Sequence, residues 1–291
     1  MPVGARVSAF AKLNLDLRVL YQRPDGYHEL RSIFQTISLA DEIGIHFARS
    51  RRTAIRMSGN IDIPDNLMVR AARLCLEEMR VAASVDFALH KRIPMGGGLG
   101  GGSSDAAAVL RALPKLAGQP LPVERMMHLA ALLGSDVPFF LLGGTAAVMG
   151  RGDELYPVPD LRSPHVLVVS PDIHVSTPEA YRLLSPRLSP ELAKIKLAGF
   201  QARLWTHDIG PAINDFEPVV FQQHPRLKKI RNQLRRAGAT TALMTGSGSS
   251  IFGIFESKRE MDAARALFPD DRVFAVRFVT RKGYQAAGMG G

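Results

Sequence analysis

An α+β fold in two domains is what this sequence predicts, on three observations. Residues 5–20 alternate apolar and polar side chains without a break. A glycine-rich loop at 94–104 runs straight into an alanine-rich helix, so a strand–loop–helix unit is expected there. A proline-rich stretch at 158–164 then separates this half from a second one, where strand and helix patterns again alternate. The 291 residues suffice for one large or two ordinary domains, and 46% apolar residues suffice for real cores. The expected division is 1–160 and 161–291.

In the first strand Val7, Ala9, Ala11, Leu13, Leu15, Leu17 and Val19 fall on one face. Arg6, Ser8, Lys12, Asn14, Asp16 and Arg18 fall on the other, so one face should be buried and one polar. Asp25-Gly26 supplies a turn, and strands are expected at 33–37, 43–47 and 53–57. A helix fits 67–79 and a strand 85–91. After the glycine-rich loop a helix should run from Asp105 to Leu113, with Ser103 or Ser104 as N-cap. Its buried face would be Ala106, Val109, Leu110 and Leu113. Pro122 opens another helix, ending near Leu133 with Gly134 in a C-cap position. Ser135-Asp136-Val137-Pro138 starts a short helical turn, and 145–149 returns as a strand.

The second half reads as a small α+β sandwich. Strands are expected at 166–169, 251–255 and 273–279, and helices at 178–184, 191–204, 225–237 and 259–267. Gly238 would cap the third of these helices, and the tail after Lys282 should be frayed. No internal repeat is present.

No run of about 18 apolar residues exists, so no membrane span is expected. Met1-Pro2-Val3-Gly4-Ala5-Arg6 has no apolar signal region. The single cysteine, Cys75, lies in an apolar helical stretch and reads as a buried small hydrophobe. A cytoplasmic location is expected. Net charge is +10, with short basic clusters at 49–52 and at Lys228, Lys229, Arg231, Arg235 and Arg236. Neither cluster is interleaved with aromatics, so both read as solvated faces and no nucleic-acid partner is expected. Attraction for phosphorylated small molecules suits the same charge. No obligate protein partner is evident.

Residues 94–104 read Pro-Met-Gly-Gly-Gly-Leu-Gly-Gly-Gly-Ser-Ser, with six glycines in seven positions. Without Cβ atoms the backbone N–H groups can approach a ligand closely, and the helix that follows points its positive end into the loop. That combination makes an anion site, above all a phosphate site. A flexible turn is the bland alternative. Gly96, Gly98 and Gly101 formally fit G-x-G-x-x-G, yet no clear strand ends in an acidic residue about 20 positions on. No Lys precedes Ser103, which excludes a Walker loop.

Two further segments carry chemistry. Lys12 and Asn14 share the polar face of the first strand, where a lysine is by itself most simply an exposed strand residue. Asp136 sits between a helix end and Pro138, either as N-cap of the next turn or as partner of an acceptor hydroxyl.

Taken together, these segments resemble the GHMP kinases, the family of galactokinase, homoserine kinase and mevalonate kinase. The resemblance rests on Ala11-Lys12-Leu13-Asn14-Leu15, Arg23-Pro24-Asp25-Gly26-Tyr27-His28-Glu29-Leu30 and the whole of 94–104. It also rests on Gly134-Ser135-Asp136-Val137-Pro138-Phe139-Phe140, Asn214-Asp215 and Thr245-Gly246-Ser247-Gly248-Ser249-Ser250. They follow family order along nearly the full length.

The resemblance implies a ribosomal-S5-like N-terminal domain and a ferredoxin-like C-terminal domain, with ATP and a small-molecule substrate meeting between them. Within the family, the Arg23–Leu30 segment points to the branch that phosphorylates the 2-hydroxyl of a methylerythritol carrying cytidine diphosphate, an isoprenoid-precursor reaction. Lys12 and Asp136 are then catalytic. Pro94, Met95, Gly96, Gly97, Gly98, Leu99, Gly100, Gly101, Gly102, Ser103 and Ser104 hold ATP, with Asn66 and Lys91 at the adenine. Asn14, Tyr27 and His28 hold the acceptor substrate, His28 on the cytosine edge. Tyr181 matches the place of a stacking aromatic, although phenylalanine is also familiar there. The Gly246–Ser250 loop would close on phosphates or substrate. Mg²⁺ is implied as well, but no motif fixes its ligands, so ATP phosphates and water would mainly hold it.

Three other readings compete. Another kinase of the family, of homoserine or mevalonate type, conflicts with the Tyr27-His28 segment. A non-catalytic ATP-binding regulator should have lost Lys12 or Asp136, and both are present. An RNA-binding protein would follow from the charge alone.

Overall fold

The computed structural model describes residues 3–61, 63, 65–161, 165–206 and 212–287. Two β-sheets organise it. The first holds β1 (Val3–Gln22), β2 (His28–Arg49), β3 (Ala54–Gly59), β4 (Ala83–His90), β5 (Thr145–Gly150) and β6 (Glu154–Pro157), in the order β3-β4-β2-β5-β6 with β1 paired to β2. Strand β2 is long enough to use three partners. Its whole length pairs with β1, while its other edge pairs first with β5 and then with β4. Helices α1 (Leu67–Met79), α2 (Gly101–Leu116), α3 (Val123–Leu133) and α4 (Phe139–Leu142) cover one face and share one core with it.

The second sheet follows. It is built from β7 (His165–Ser170), β8 (Thr241–Met244), β9 (Ile251–Phe255) and β10 (Arg272–Val276). The order β10-β7-β9-β8, antiparallel throughout, is the ferredoxin-like arrangement. The remaining helices are α5 (Thr177–Leu184), α6 (Pro190–Thr206), α7 (Glu217–Gln223), α8 (Pro225–Arg236), α9 (Lys258–Arg265) and α10 (Arg281–Ala287). Strand β7 is apolar at every position from Val166 to Val169. Val166 and Val168 face the core shared with β1 and β2, and Leu167 and Val169 face the core under the helices. No helix among the described residues is long and apolar enough to cross a membrane.

The α+β expectation therefore holds, with corrections to several elements. The strands expected at 33–37 and 43–47 are one strand, β2. The first strand does not keep one buried and one polar face, because every residue from Ala11 to Leu20 is buried. Its apolar positions serve three cores: Val7 and Ala9 the helix-covered face, Ala11 to Leu15 the layer between the sheets, and Leu17 and Val19 the helices of the second half. Register shifts between Phe10 and Lys12 and between Asn14 and Asp16 mark the changes, since an irregularity re-aims the side chains beyond it.

Helix α2 starts at Gly101, not Asp105. Its N-cap is Gly100 at φ 71, so Ser103 and Ser104 lie inside the first turn and cap nothing. The strand expected at 273–279 ends at Val276, and Phe278 makes only an isolated bridge to Ile37. The tail is ordered as α10 through Ala287, anchored by the buried Tyr284, whose hydroxyl donates to the Phe140 carbonyl. Residues 288–291 and, within the proline-rich stretch, 162–164 lie outside the described residues. Strands β6 and β8 and helix α7 are short and have no periodic signal to announce them.

Candidate active site

The glycine-rich loop is pinned at both ends. On its β4 side, Asp41 Oδ1 accepts from the backbone N–H groups of Arg92 and Ile93 at 2.6 and 2.8 Å. Lys91 Nζ donates to Asp41 Oδ2 and, at 2.8 Å, to Asp105 Oδ2 in α2. The strut thus joins the strand before the loop to the helix after it. Burial pushes the Asp105 carboxyl up to about 7, with Lys91 opposing and the Asp41 charge adding to the rise.

Within the loop, Gly98 has φ +74 and a Cβ there would lie 2.1 Å from the Thr245 carbonyl oxygen. Gly100 has φ +71, and its Cβ would lie 2.8 Å from the Phe140 ring. Both positions require glycine on backbone and on space. The contact at Gly98 comes from the Thr245–Ser250 segment, which lies directly on the loop. Ser250 N–H donates to the Gly97 carbonyl at 3.2 Å, and Thr245 Oγ1 donates to the Gly98 carbonyl at 3.3 Å. Asn214 holds that segment by donating Nδ2 to the Met244 and Gly246 carbonyls at 2.7 and 2.8 Å.

A cavity of about 360 Å³ opens on the loop and on the first turn of α2. Pro94 through Ser103, Asn66 and Lys91 all line it. Ser104 does not; it is fully buried and its hydroxyl has no hydrogen-bond partner. Free N–H groups at a helix start, with no side chain in the way, make this a cradle for an anion.

A second cavity, of about 580 Å³, collects Lys12, Asn14, Tyr27, His28, Asp136 and Tyr181. It shares Gly98 and Gly100 with the first, so the two meet at the glycines. Lys12 is not the exposed strand lysine that the alternation alone would suggest. It is 4% exposed, its Nζ donates to Asn14 Oδ1 at 2.6 Å and lies 3.5 Å from Asp136 Oδ2 and 4.5 Å from the centre of the Phe34 ring. The Asp136 side chain is 33% exposed, open to the cavity above the lysine. It is not a helix cap: α4 starts beyond Pro138 and has no side-chain cap.

At the far end the His28 ring stacks on Tyr181, with ring centres 4.7 Å apart and planes 23° apart, and its Nε2 is 2.8 Å from Ser185 Oγ. Burial lowers the His28 pKa, which favours the neutral ring. The Tyr181 hydroxyl is pushed up to about 12, by burial and by the Asp136 charge. Tyr181 meets Phe216 edge-on, so the open aromatic at the cavity is Tyr27, which is exposed and lies under the Arg151 guanidinium.

Sequence reasoning missed Arg151, Ser32, Thr177 and Phe216, which also line this cavity. Nothing local signals them; the fold brings them in from β2, from the loop after β5 and from the second half. Gly246 and Ser247 line it too, so the Thr245–Ser250 segment faces both the loop and the cavity. Among the described residues, no cluster of three or more His, Cys, Asp or Glu side chains could hold a metal ion.

The family model described as GHMP kinases N terminal domain matches residues 66–144, and the one described as GHMP kinases C terminal matches residues 197–269. The chain is 52% identical over 287 residues to the 4-diphosphocytidyl-2-C-methyl-D-erythritol kinase of Solibacter usitatus, covering 97% of this chain and 91% of that protein. It is 38% identical to the protein of that name from Geobacillus kaustophilus, over 94% of this chain and 96% of the other. A crystal structure of 4-(cytidine 5'-diphospho)-2C-methyl-D-erythritol kinase matches with a TM-score of 0.78 at 36% identity, covering 94% of this chain and 98% of that one. Homoserine kinase from Cytophaga hutchinsonii matches with a TM-score of 0.72 at 18% identity, covering 95% of each chain, a likeness of fold alone.

Proposed function

This chain belongs to the GHMP kinases, and from that premise we propose that it moves the γ-phosphate of ATP to the 2-hydroxyl of 4-diphosphocytidyl-2-C-methyl-D-erythritol. One observation carries the chemistry: the glycine-loop cavity and the aromatic cavity meet at Gly98 and Gly100, with the Lys12–Asp136 pair in the second cavity close to that junction. Phosphoryl transfer needs clamped phosphates, balanced charge and an aligned acceptor, and little covalent help.

In this reading residues 1–160 carry the nucleotide loop and 161–291 the ferredoxin-like half. The N–H groups of the loop and of the first turn of α2 hold the ATP phosphates, with Asn66 and Lys91 beside the base. Asp136 accepts a hydrogen bond from the substrate hydroxyl and orients its oxygen on the γ-phosphorus. As the new O–P bond forms, the hydroxyl proton passes to the carboxylate and ADP leaves. Lys12, fixed by Asn14, lies 3.5 Å from Asp136 Oδ2 and balances charge on the moving phosphoryl group. His28, backed by Tyr181, reads the cytosine edge, Tyr27 offers the open ring face, and Arg151 is the further cation of that cavity.

Mg²⁺ fits the same place. Ser103, in the first turn of α2, lines the cavity, whereas Ser104 is fully buried and does not reach it. The Ser103 hydroxyl is the donor the chain would offer to a hard cation held mainly by phosphates and water, which when bound would neutralise developing phosphate charge. A reducing cytoplasm suits the one cysteine, Cys75, which is buried and whose thiol burial pushes up to about 12.

The test is ATP-dependent phosphorylation of 4-diphosphocytidyl-2-C-methyl-D-erythritol, homoserine and mevalonate, followed by ADP release. Turnover is expected with the first alone. Preference for either of the other two would overturn the substrate, and turnover of none would overturn the kinase reading.

A further inference from the structure

Helix α8 presents two adjoining faces. Leu227, Ile230 and Leu234 are buried, and Lys228, Arg231 and Arg235 follow one residue further round. The three cations sit at i, i+3 and i+7, so they lie on one side of the helix and repel one another. They line a groove of about 670 Å³, which shares no residue with the two cavities of the candidate active site.

Two carboxylates line this groove, and each already has a partner. Asp215 Oδ2 accepts from Val19 N–H of β1 at 2.7 Å and from Lys196 Nζ of α6 at 2.6 Å. Glu217 accepts from Met244 N–H at 2.9 Å and from Arg231 Nη1 at 3.3 Å, and burial raises its pKa. Among the described residues Lys228 and Arg235 have no ion pair, and the Arg231 Nε is buried with no partner. The Arg231 guanidinium is steadied over the Phe221 ring at 5.4 Å. What remains is a groove with two unpaired cations, Lys228 and Arg235, beside the Arg231–Glu217 pair, in a volume suited to a small ligand.

We propose that this groove binds a small diphosphate-bearing anion, held by Lys228, Arg231 and Arg235, with an organic substituent along Pro218, Phe221 and Leu243. Lys228 and Arg235 stand seven residues apart, about 10 Å along the helix axis, so an anion carrying two phosphate groups can engage both. Apolar residues in the same lining, Phe221 directly under Arg231 among them, make the site more than a patch for bulk counter-ions. This reading does not depend on which alcohol the enzyme phosphorylates.

Equilibrium dialysis with radiolabelled inorganic pyrophosphate tests it, with the glycine loop first saturated by a non-hydrolysable ATP analogue. One pyrophosphate per chain should still bind, and inorganic phosphate should bind at least tenfold more weakly. The exposed double variant Lys228→Gln/Arg235→Gln should raise the pyrophosphate Kd at least tenfold, about 1.4 kcal/mol. It should leave kcat and KM without pyrophosphate unchanged. Lys228→Glu should weaken binding further if charge is the cause. Loss of all pyrophosphate binding once the analogue is present would overturn the proposal. So would a double variant with the wild-type Kd, or a short RNA that binds these residues where pyrophosphate does not.

Discussion

Gly98→Ala tests whether the two glycine-bearing segments really close on each other. The added Cβ would sit 2.1 Å from the Thr245 carbonyl oxygen and 3.2 Å from that of Gly248, so backbone must move by about an ångström. Alanine at φ +74 costs about 1–2 kcal/mol on its own. Displacing Thr245 stretches the hydrogen bond its Oγ1 accepts from Asn14 N–H at 3.0 Å and the one it donates to Gly98, each worth about 1 kcal/mol. The sum is roughly 3 kcal/mol, or roughly 150-fold, to appear as lost kcat/KM for ATP, lost stability, or both. Gly102→Ala is the control. It has an ordinary φ, and its Cβ meets only Leu67 Cδ1 at 3.8 Å, so, although it lines the ATP cavity, its melting temperature should stay near that of wild type. A coupled ADP-release assay over an ATP series, with thermal melts of both variants, gives the comparison. A Gly98→Ala enzyme with wild-type kcat/KM and melting temperature would refute the packing of the loops. A Gly102→Ala protein with an equally lowered melting temperature would show that the cost does not come from this contact.

Asp136→Asn should lower kcat by about 10²–10⁴-fold while an ATP analogue still binds, and a variant keeping more than about a tenth of the rate removes Asp136 from the mechanism. His28→Ala should raise KM for the cytidine substrate, leave KM for ATP nearly unchanged and narrow the preference over the uridine analogue; a variant that loses only ATP affinity contradicts the base-reading role. Asp105→Asn addresses the strut under the loop. The Asp105 carboxyl titrates near 7 when folded against an ordinary 3.8, so the folded chain holds its proton the more tightly. Stability from this group should therefore fall as pH rises from about 4 to about 7, and the variant should flatten that fall in urea unfolding; identical pH slopes would exclude a raised Asp105.

Much of the site was legible because its residues lie in short contiguous runs. The glycine loop declares itself through composition, and Asp136 through a rigid turn between a helix end and a proline. Lys12 was harder to judge. Alternation gave its face correctly, but whether a polar face meets water or another layer depends on segments encoded later, and here Phe34, the glycine loop at Gly100 and Asp136 bury it. Arg151 and Phe216 were illegible for a related reason: each is an ordinary residue until the fold carries it to the cavity wall. The helix start was misjudged because serine is a good N-cap in general, whereas here the left-handed Gly100 makes the turn and leaves Ser104 inside the first turn with its hydroxyl unpartnered.

Strand β1 has a consequence for how the chain is made. It is synthesised early, yet Leu13 and Leu15 share a core with Val168 and Phe252, and Leu17 bridges Asn214. Until those later residues leave the ribosome, a strip from Ala11 to Val19 has no cover and offers a template for sticking to other nascent chains. Contacts so distant in sequence also make folding slow. A fragment ending near residue 161 should be insoluble when expressed alone and should be rescued by the remaining piece supplied in the same cell.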